Sequence, residues 1–152
     1  MAEQSSNAGE YRFFLGLFIV HPTLVPDEIT KILGLEPDVT HCVGAPRRTP
    51  KGTPLSGTYA STRWRRSTEH VVEDPGFASE LSRLIDALGP HKAFFSEVKA
   101  NGGTASIIIQ FMDGFLADEL SSVMLTRLVE LDLSLGIECY AGLPQSRTAP
   151  PR

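Results

Sequence analysis

The sequence predicts a two-layer α+β sandwich in which roughly four mainly antiparallel strands form a sheet with helices on one face, ferredoxin-like in layout. Apolar runs typical of strands alternate along the chain with amphipathic runs typical of helices. The amphipathic runs end at Gly or Pro, as helices commonly do. A chain of 152 residues, 41% of them hydrophobic and 21% charged, is the size and composition of one globular domain. We therefore expect a single domain over residues 11–142, with disordered tails at 1–10 and 143–152.

The first strand and helix follow from local composition. "YRFFLGLFIV", residues 11–20, is a nearly continuous aromatic and aliphatic run closed by Pro22, which predicts a buried strand. "PDEITKILG" predicts a short helix that begins at Pro26, carries two acidic residues in its first turn and ends at Gly34. Its expected buried face consists of Ile29, Ile32 and Leu33.

A long surface loop and a second strand are predicted next. Residues 36–58 are rich in Pro, Gly and Thr and show no periodicity. "TYASTRWRRST" then alternates as a strand does. If Trp64 packs under the helices, Arg63 and Arg65 must lie on the opposite face of the sheet.

The second half of the chain predicts helix, strand, helix and strand. "GFASELSRLIDALGP" has apolar residues at helical spacing before its Gly-Pro stop. "HKAFFSEVKANGG" fits a short helix or a hairpin, and we favour the helix. "TASIIIQFM" is a strand, and "IECYA" is a short final strand. Between them, "FLADELSSVMLTRLVELDLSLG" predicts one long helix whose buried stripe consists of Leu116, Leu120, Val123, Leu128 and Leu131.

Several classes of function are disfavoured by what the sequence lacks. It shows neither the apolar run of a secretory signal nor the roughly 20 apolar residues of a membrane span, so we expect a cytoplasmic protein without a membrane partner. Cys42 and Cys139 form no CxxC pair, and the four histidines are scattered. We therefore expect no metal, no cofactor and no catalytic residues, and an enzyme is the less favoured interpretation.

The most distinctive segment is basic. No Asp or Glu occurs between Val39 and Thr68, yet this window holds six of the 14 Lys and Arg residues of a chain whose net charge is -4. Within it, "RTPKGTPLSGTYASTRW" places cations in a Gly- and Pro-rich run. Such a segment can hold an anion or an acidic partner, or can be a solvated loop that neutralises acidic residues elsewhere in the fold.

The second face of the sheet is the other candidate. Strand parity sends Ile108, Gln110, Glu138 and Tyr140 to the face of Arg63 and Arg65, and the first strand must add either Phe14 and Phe18 or Phe13 and Leu17. An exposed face of this composition predicts an interface, unless residues 36–58 fold over and bury it. The candidate binding residues are Arg47, Arg48, Lys51, Arg63, Arg65, Glu138 and Tyr140.

Three functions are compatible with these residues. The first is a non-enzymatic protein-interaction module, a homodimer or a binder of an acidic protein partner. The second is a binder or enzyme for a small anionic ligand held by the basic loop, with Glu138, Tyr140 or His21 as acid-base groups. The third is binding of single-stranded nucleic acid, which the missing K/R-G-F/Y-G/A-F-V pattern disfavours.

The order of these motifs resembles one known family. An apolar strand, "PDEITKILGLEP", "GTPLSGTYASTRW" and "LVELDLSLGIECY" follow one another as in the bacterial family catalogued as domain of unknown function 4279. The resemblance covers about Tyr11 to Ala141. The resemblance implies a small α+β domain with a partner-binding, immunity-like role. The family has no assigned activity, so the resemblance adds none.

Overall fold

The computed structural model describes residues 11–113 and 117–139, apart from the side chain of Asp113. The predicted tails, 1–10 and 143–152, lie outside the described residues. So do Leu116 and Tyr140. The α-helices and strands, in chain order, are β1 Tyr11–His21, α1 Pro26–Leu33, β2 Val39–His41, β3 Pro46–Arg48, β4 Pro54–Thr58, β5 Thr62–Val72, α2 Ala78–Leu88, α3 Lys92–Ala100, β6 Thr104–Asp113, α4 Ser122–Glu130 and β7 Ser134–Cys139.

The α+β class is confirmed, but the ferredoxin-like layout of four strands is not. The main sheet has five strands in the order β2-β5-β1-β6-β7, and β3 pairs with β4 in a separate two-stranded ribbon. Every pairing in the main sheet is antiparallel except that of β6 with β7, which are joined through α4. A parallel pair needs such a crossover helix, because a tight turn reverses the chain direction.

The core lies on one face of the main sheet, which we call the inner face. Its centre consists of alternate residues of β1, from Phe13 to Ile19, which oppose Ile107 and Ile109 of β6 in the register. The buried residues of all four helices belong to the same apolar cluster. The helices therefore pack on the inner face, and Phe14 and Phe18 lie on the opposite, outer face.

Trp64 joins the sheet to α1. Its side chain is fully buried opposite Ile19, and its indole Nε1 donates a hydrogen bond of 2.9 Å to Thr30 Oγ1 of α1. The helix begins at Pro26 and ends at Gly34, whose φ of 65° is the left-handed conformation that favours glycine. The predicted burial of Trp64 is confirmed, whereas Ile32 is 45% exposed and does not share the buried face of α1.

Two predicted elements were wrong. Residues 36–58 are not one loop, since they contain β2, β3 and β4. The predicted long helix is also shorter: α4 begins at Ser122 because the Ser121 hydroxyl accepts a hydrogen bond from the Met124 N–H and caps it. The buried residues of α4 are Met124 and Leu128, whereas Val123 is 68% exposed and does not belong to the buried stripe.

The favoured helical interpretation of "HKAFFSEVKANGG" is confirmed by α3.

Candidate functional site

The outer face of the main sheet carries apolar and basic side chains together. Alternation along β5 places Arg63 and Arg65 there, and alternation along β6 does the same for Ile108 and Met112. In contrast with the fully buried centre of the inner face, these side chains are half-buried or exposed. The remaining apolar residues of this face are Phe14, Phe18, Val20, Val39 and Val71.

The centre of the outer face is a layer of stacked side chains. The Phe18 ring lies over Gly16, where an added Cβ would come within 3.0 Å of that ring. The guanidinium of Arg65 lies above Phe18 with its carbon 4.9 Å from the ring centroid. Glycine at position 16 therefore lets a phenylalanine lie across the strand, and the phenylalanine supports an arginine at the surface.

Two polar atoms beside this layer have no hydrogen-bond partner among the described residues. They are Arg65 Nε and Ser67 Oγ, and both are buried as atoms. Asp38 lies next to them: its carboxylate accepts a hydrogen bond of 2.5 Å from the Ser67 N–H. The cavity that includes Phe14, Arg65 and Ser67 measures about 560 Å³. A buried polar group without a partner costs free energy, so a water molecule or a bound group would stabilise these two atoms.

The β3–β4 ribbon adds a basic concavity at the edge of the sheet. The Tyr59 ring stacks on His41 of β2 with 4.3 Å between centroids and 8° between planes. The Tyr59 hydroxyl lies 3.2 Å from both the backbone N and the backbone O of Arg48. These contacts hold the ribbon beside β2 and β5, where Arg47, Arg48 and Arg63 line a cavity of about 420 Å³.

The cations of this region are not neutralised within the described part of the chain. None of its five ion pairs includes Arg47, Arg48, Lys51, Arg63 or Arg65. Arg48 donates to the Gly52 carbonyl at 3.2 Å, which is a contact inside the ribbon. Lys51 is exposed in the turn of the ribbon, where Gly52 has a φ of 85°. We call Arg47, Arg48, Lys51, Arg63 and Arg65 the basic cluster.

Glu138 does not join the basic cluster. Glu138 lies three strands away from Arg65 across the sheet and four residues further along it. Together these offsets correspond to roughly 20 Å. Its carboxylate instead accepts a hydrogen bond of 2.6 Å from Gln110 Nε2. Tyr140 lies outside the described residues, and His21 is buried with Nδ1 accepting the N–H groups of Thr23 and Leu24. Glu138 is therefore remote from the basic cluster, and Nδ1 of His21 is already engaged in backbone hydrogen bonds.

The described residues hold no set of three or more His, Cys, Asp or Glu side chains that could bind a metal ion. The two carboxyl groups with shifted pKa values accept hydrogen bonds from helix residues, Asp118 from α2 and Asp132 from α3. Hydrogen bonds from the Ala78 and Glu119 N–H groups lower the pKa of Asp118. Hydrogen bonds from Lys99 and Ser96 lower the pKa of Asp132. Neither carboxyl belongs to the basic cluster, so what this region offers is charge and apolar surface for binding.

Sequence reasoning missed several residues of this site. It did not include His41 or Tyr59, whose rings stack across 18 positions of sequence, nor Asp38 beside Ser67. The only local signal was the Val-Thr-His triplet of β2, which is too short to predict a strand. In contrast, strand parity did predict the apolar residues of the outer face, once Trp64 was placed on the inner face.

Comparison with known proteins gives one match. A family model described as Domain of unknown function (DUF4279) matches residues 10–142. No curated protein matches the chain, and no solved structure matches it. No helix among residues 11–113 and 117–139 is long and apolar enough to cross a membrane.

Proposed function

The chain belongs to the DUF4279 family, and we propose that it is a non-enzymatic interaction module whose outer sheet face binds a partner protein with an acidic surface. The observation that supports this most is the juxtaposition of uncovered apolar side chains with the basic cluster. Phe14, Phe18 and Ile108 are only half-buried, and Val39 beside Arg65 is 46% exposed. This is the composition of an interface centre, which is enriched in aromatic residues and arginine.

The two parts of the face have different roles in binding. Burial of the apolar part against a partner favours binding by about 25 cal/mol per Å² of apolar surface removed from water. The basic cluster attracts an acidic surface from a distance and increases the association rate. Arg65 belongs to both parts, since it stacks on Phe18 and its buried Nε has no hydrogen-bond partner in the described part of the chain. A carboxylate or carbonyl of the partner would pair with that nitrogen.

Affinity capture with charge-matched variants tests the proposal. The bait variant is Arg47→Glu with Arg63→Glu, and the control is Lys31→Glu with Lys92→Glu on the exposed helix layer. Both double variants change the net charge equally. Each bait is incubated with an extract of the cells that express the protein, and the retained proteins are compared. The wild type and the control should retain the same acidic proteins, and the outer-face variant should not retain them. Equal retention by both variants, or loss by both, would contradict an interface at the basic cluster.

An immunity-like role is one form of this function, because an inhibitor of an acidic toxin needs such a basic face and no catalytic group. A gene for a toxin next to the gene for this chain would support that form.

A second copy of the chain is another partner that the apolar part can accommodate, since a two-fold dimer buries the same strip from both copies. Sedimentation over a concentration series tests this. The wild type should dimerise, and Ile108→Glu should remain a folded monomer. A wild type that stays monomeric at all concentrations would leave the acidic partner as the occupant of this face.

A small anionic ligand is a second candidate function, and the concavity lined by Arg47, Arg48 and Arg63 favours it. Its volume of about 420 Å³ falls within the range of ligand pockets, roughly 300–1,000 Å³. A thermal-shift screen of anionic metabolites should then raise the melting temperature of the wild type but not of Arg47→Glu with Arg63→Glu. No stabilisation by any anion would exclude this candidate.

A further inference from the structure

A separate groove lies on the inner face of the sheet, on the other side of β5 from the basic cluster. It opens between α1 and α2, where the core is left uncovered over β1 and β5. The edge of β5 that faces away from β1 pairs with β2 only at Arg63, Trp64 and Arg65, and no other described strand pairs with this edge. The groove measures about 290 Å³.

The floor and walls of the groove are apolar. Leu15 and Leu17 of β1 form the floor, and Leu84 and Leu88 of α2 form one wall. Leu33 at the end of α1 forms the opposite wall. Leu84 is only half-buried although it packs against the core cluster, so the wall presents apolar surface to the opening. Such a lining favours the apolar body of a ligand.

Arg66 places a charge at the edge of this apolar space. It lies opposite Leu17 in the register, which directs it to the inner face among residues that are otherwise mainly apolar. Its Nη1 donates to the Glu36 carbonyl at 3.2 Å, and no ion pair to it exists among the described residues. The guanidinium has five N–H donors, so most of them remain available for an anion.

The other charges in the groove are already paired. Glu80 Oε1 lies 2.7 Å from Arg83 Nη1, and Glu80 Oε2 lies 3.5 Å from His70 Nδ1. Among the described residues, Arg66 is therefore the lysine or arginine of the groove that has no ion pair, and the imidazole of His91 lines the groove as well. The carboxylate of Glu80 on α2 disfavours a head group with two negative charges, since like charges repel in a partly desolvated site.

We propose that this groove binds a small amphiphilic carboxylate, with its hydrocarbon chain on the leucines and its carboxylate on Arg66. Planar guanidinium and carboxylate groups match in a two-point hydrogen-bonded pair. At about 30 Å³ for each water-sized group, the groove has room for roughly ten non-hydrogen atoms. A straight-chain acid of about eight carbons fits that count.

Octanoate and octanamide are suitable probes, because they share the chain and differ in charge. Calorimetric titration of the unmodified protein should show octanoate binding with a Kd of about 1 mM or tighter. Octanamide should bind about 10- to 100-fold more weakly, as expected for loss of a charge-assisted hydrogen bond. Equal binding of the two probes, or no binding of octanoate at about 10 mM, would overturn the proposal.

Two variants place the ligand in the groove. Arg66→Gln should weaken octanoate binding to the level of octanamide, whereas Arg12→Gln, at an exposed arginine on the outer face of β1, should leave it unchanged. Ala87→Trp introduces a large side chain from an exposed position that lines the groove, so it should abolish binding of both probes while the circular dichroism spectrum is retained. Octanoate binding that survives Ala87→Trp, or that is lost in Arg12→Gln alone, would place the site elsewhere.

Discussion

Replacement of Trp64 by alanine should remove a large part of the stability of the fold. The side chain is fully buried and makes the 2.9 Å hydrogen bond to Thr30 that joins β5 to α1. Truncating a buried large aromatic side chain costs about 3–5 kcal/mol. A domain has only about 5–15 kcal/mol of unfolding free energy, and for about 150 residues each kcal/mol shifts the melting temperature by roughly 2–4 °C. Trp64→Ala should therefore lower the melting temperature by roughly 6–20 °C.

The assays are thermal melting and urea unfolding, both followed by far-ultraviolet circular dichroism, because Trp64 is the only tryptophan and its fluorescence is lost in the variant. Thr30→Val separates the hydrogen bond from the packing: it leaves the indole N–H buried and unpaired, at a cost of about 1–3 kcal/mol. Arg63→Ala, the neighbouring exposed position, is the control and should change the unfolding free energy by no more than about 0.5 kcal/mol. A loss below about 1 kcal/mol in Trp64→Ala would refute the assignment of Trp64 to the core.

Three further perturbations have defined outcomes. The Ala78 N–H group lowers the pKa of Asp118, so the carboxylate stabilises the fold above its unfolded pKa of about 3.9 and this contribution is lost as the pH falls through the lower folded pKa. In urea unfolding, Asp118→Ala should cost about 1 kcal/mol near neutral pH and progressively less toward about pH 2, whereas an equal cost at both pH values would contradict the ionised cap. Gly103→Ala should cost about 1–3 kcal/mol in the same assay, because its Cβ would lie 2.8–2.9 Å from a backbone carbonyl oxygen and two side chains, and a stable variant would contradict that packing. Arg48→Ala with Lys51→Ala should leave the unfolding free energy within about 0.5 kcal/mol of the wild type, and strong destabilisation would mean that these charges belong to an internal network.

The parts of the fold that depend on strand parity could be predicted from the sequence. Placing Trp64 inward correctly sent Arg63 to the outer face, and the alternation of Ile107 and Ile108 in β6 was also correct. These strands are 10 or 11 residues long, so one apolar face fixes their orientation over many positions.

The short strands could not be predicted in the same way. β2 and β3 have three residues each, β3 and β4 begin at prolines, and all residues of β3 and β4 are exposed. Pairing across a turn, rather than burial, stabilises the β3–β4 ribbon, and burial is what creates periodicity in a sequence. The beginning of α4 was wrongly predicted for a related reason, because the Ser121 cap interrupts an apolar pattern that continues on both sides of it.

The two candidate binding regions differ in how far the sequence reveals them. The basic cluster was visible because its cations lie close together in the chain, between Arg47 and Arg65. The inner groove was not, because Leu17, Arg66 and Leu84 come from three separate elements and share no local motif. Parity with Trp64 sends Arg66 to the inner face, but only the register shows that it lies opposite Leu17.

The most direct test of the interaction surface is a hydroxyl-radical footprint of the chain with a partner obtained by affinity capture. Met112 on the outer face is 39% exposed and carries an oxidisable sulfur, whereas Leu125 on α4 is 45% exposed and lies in the helix layer. Binding at the outer face should reduce modification of Met112 and leave Leu125 unchanged. Protection of Leu125 with Met112 still fully modified would place the partner on the helices and contradict the proposed function.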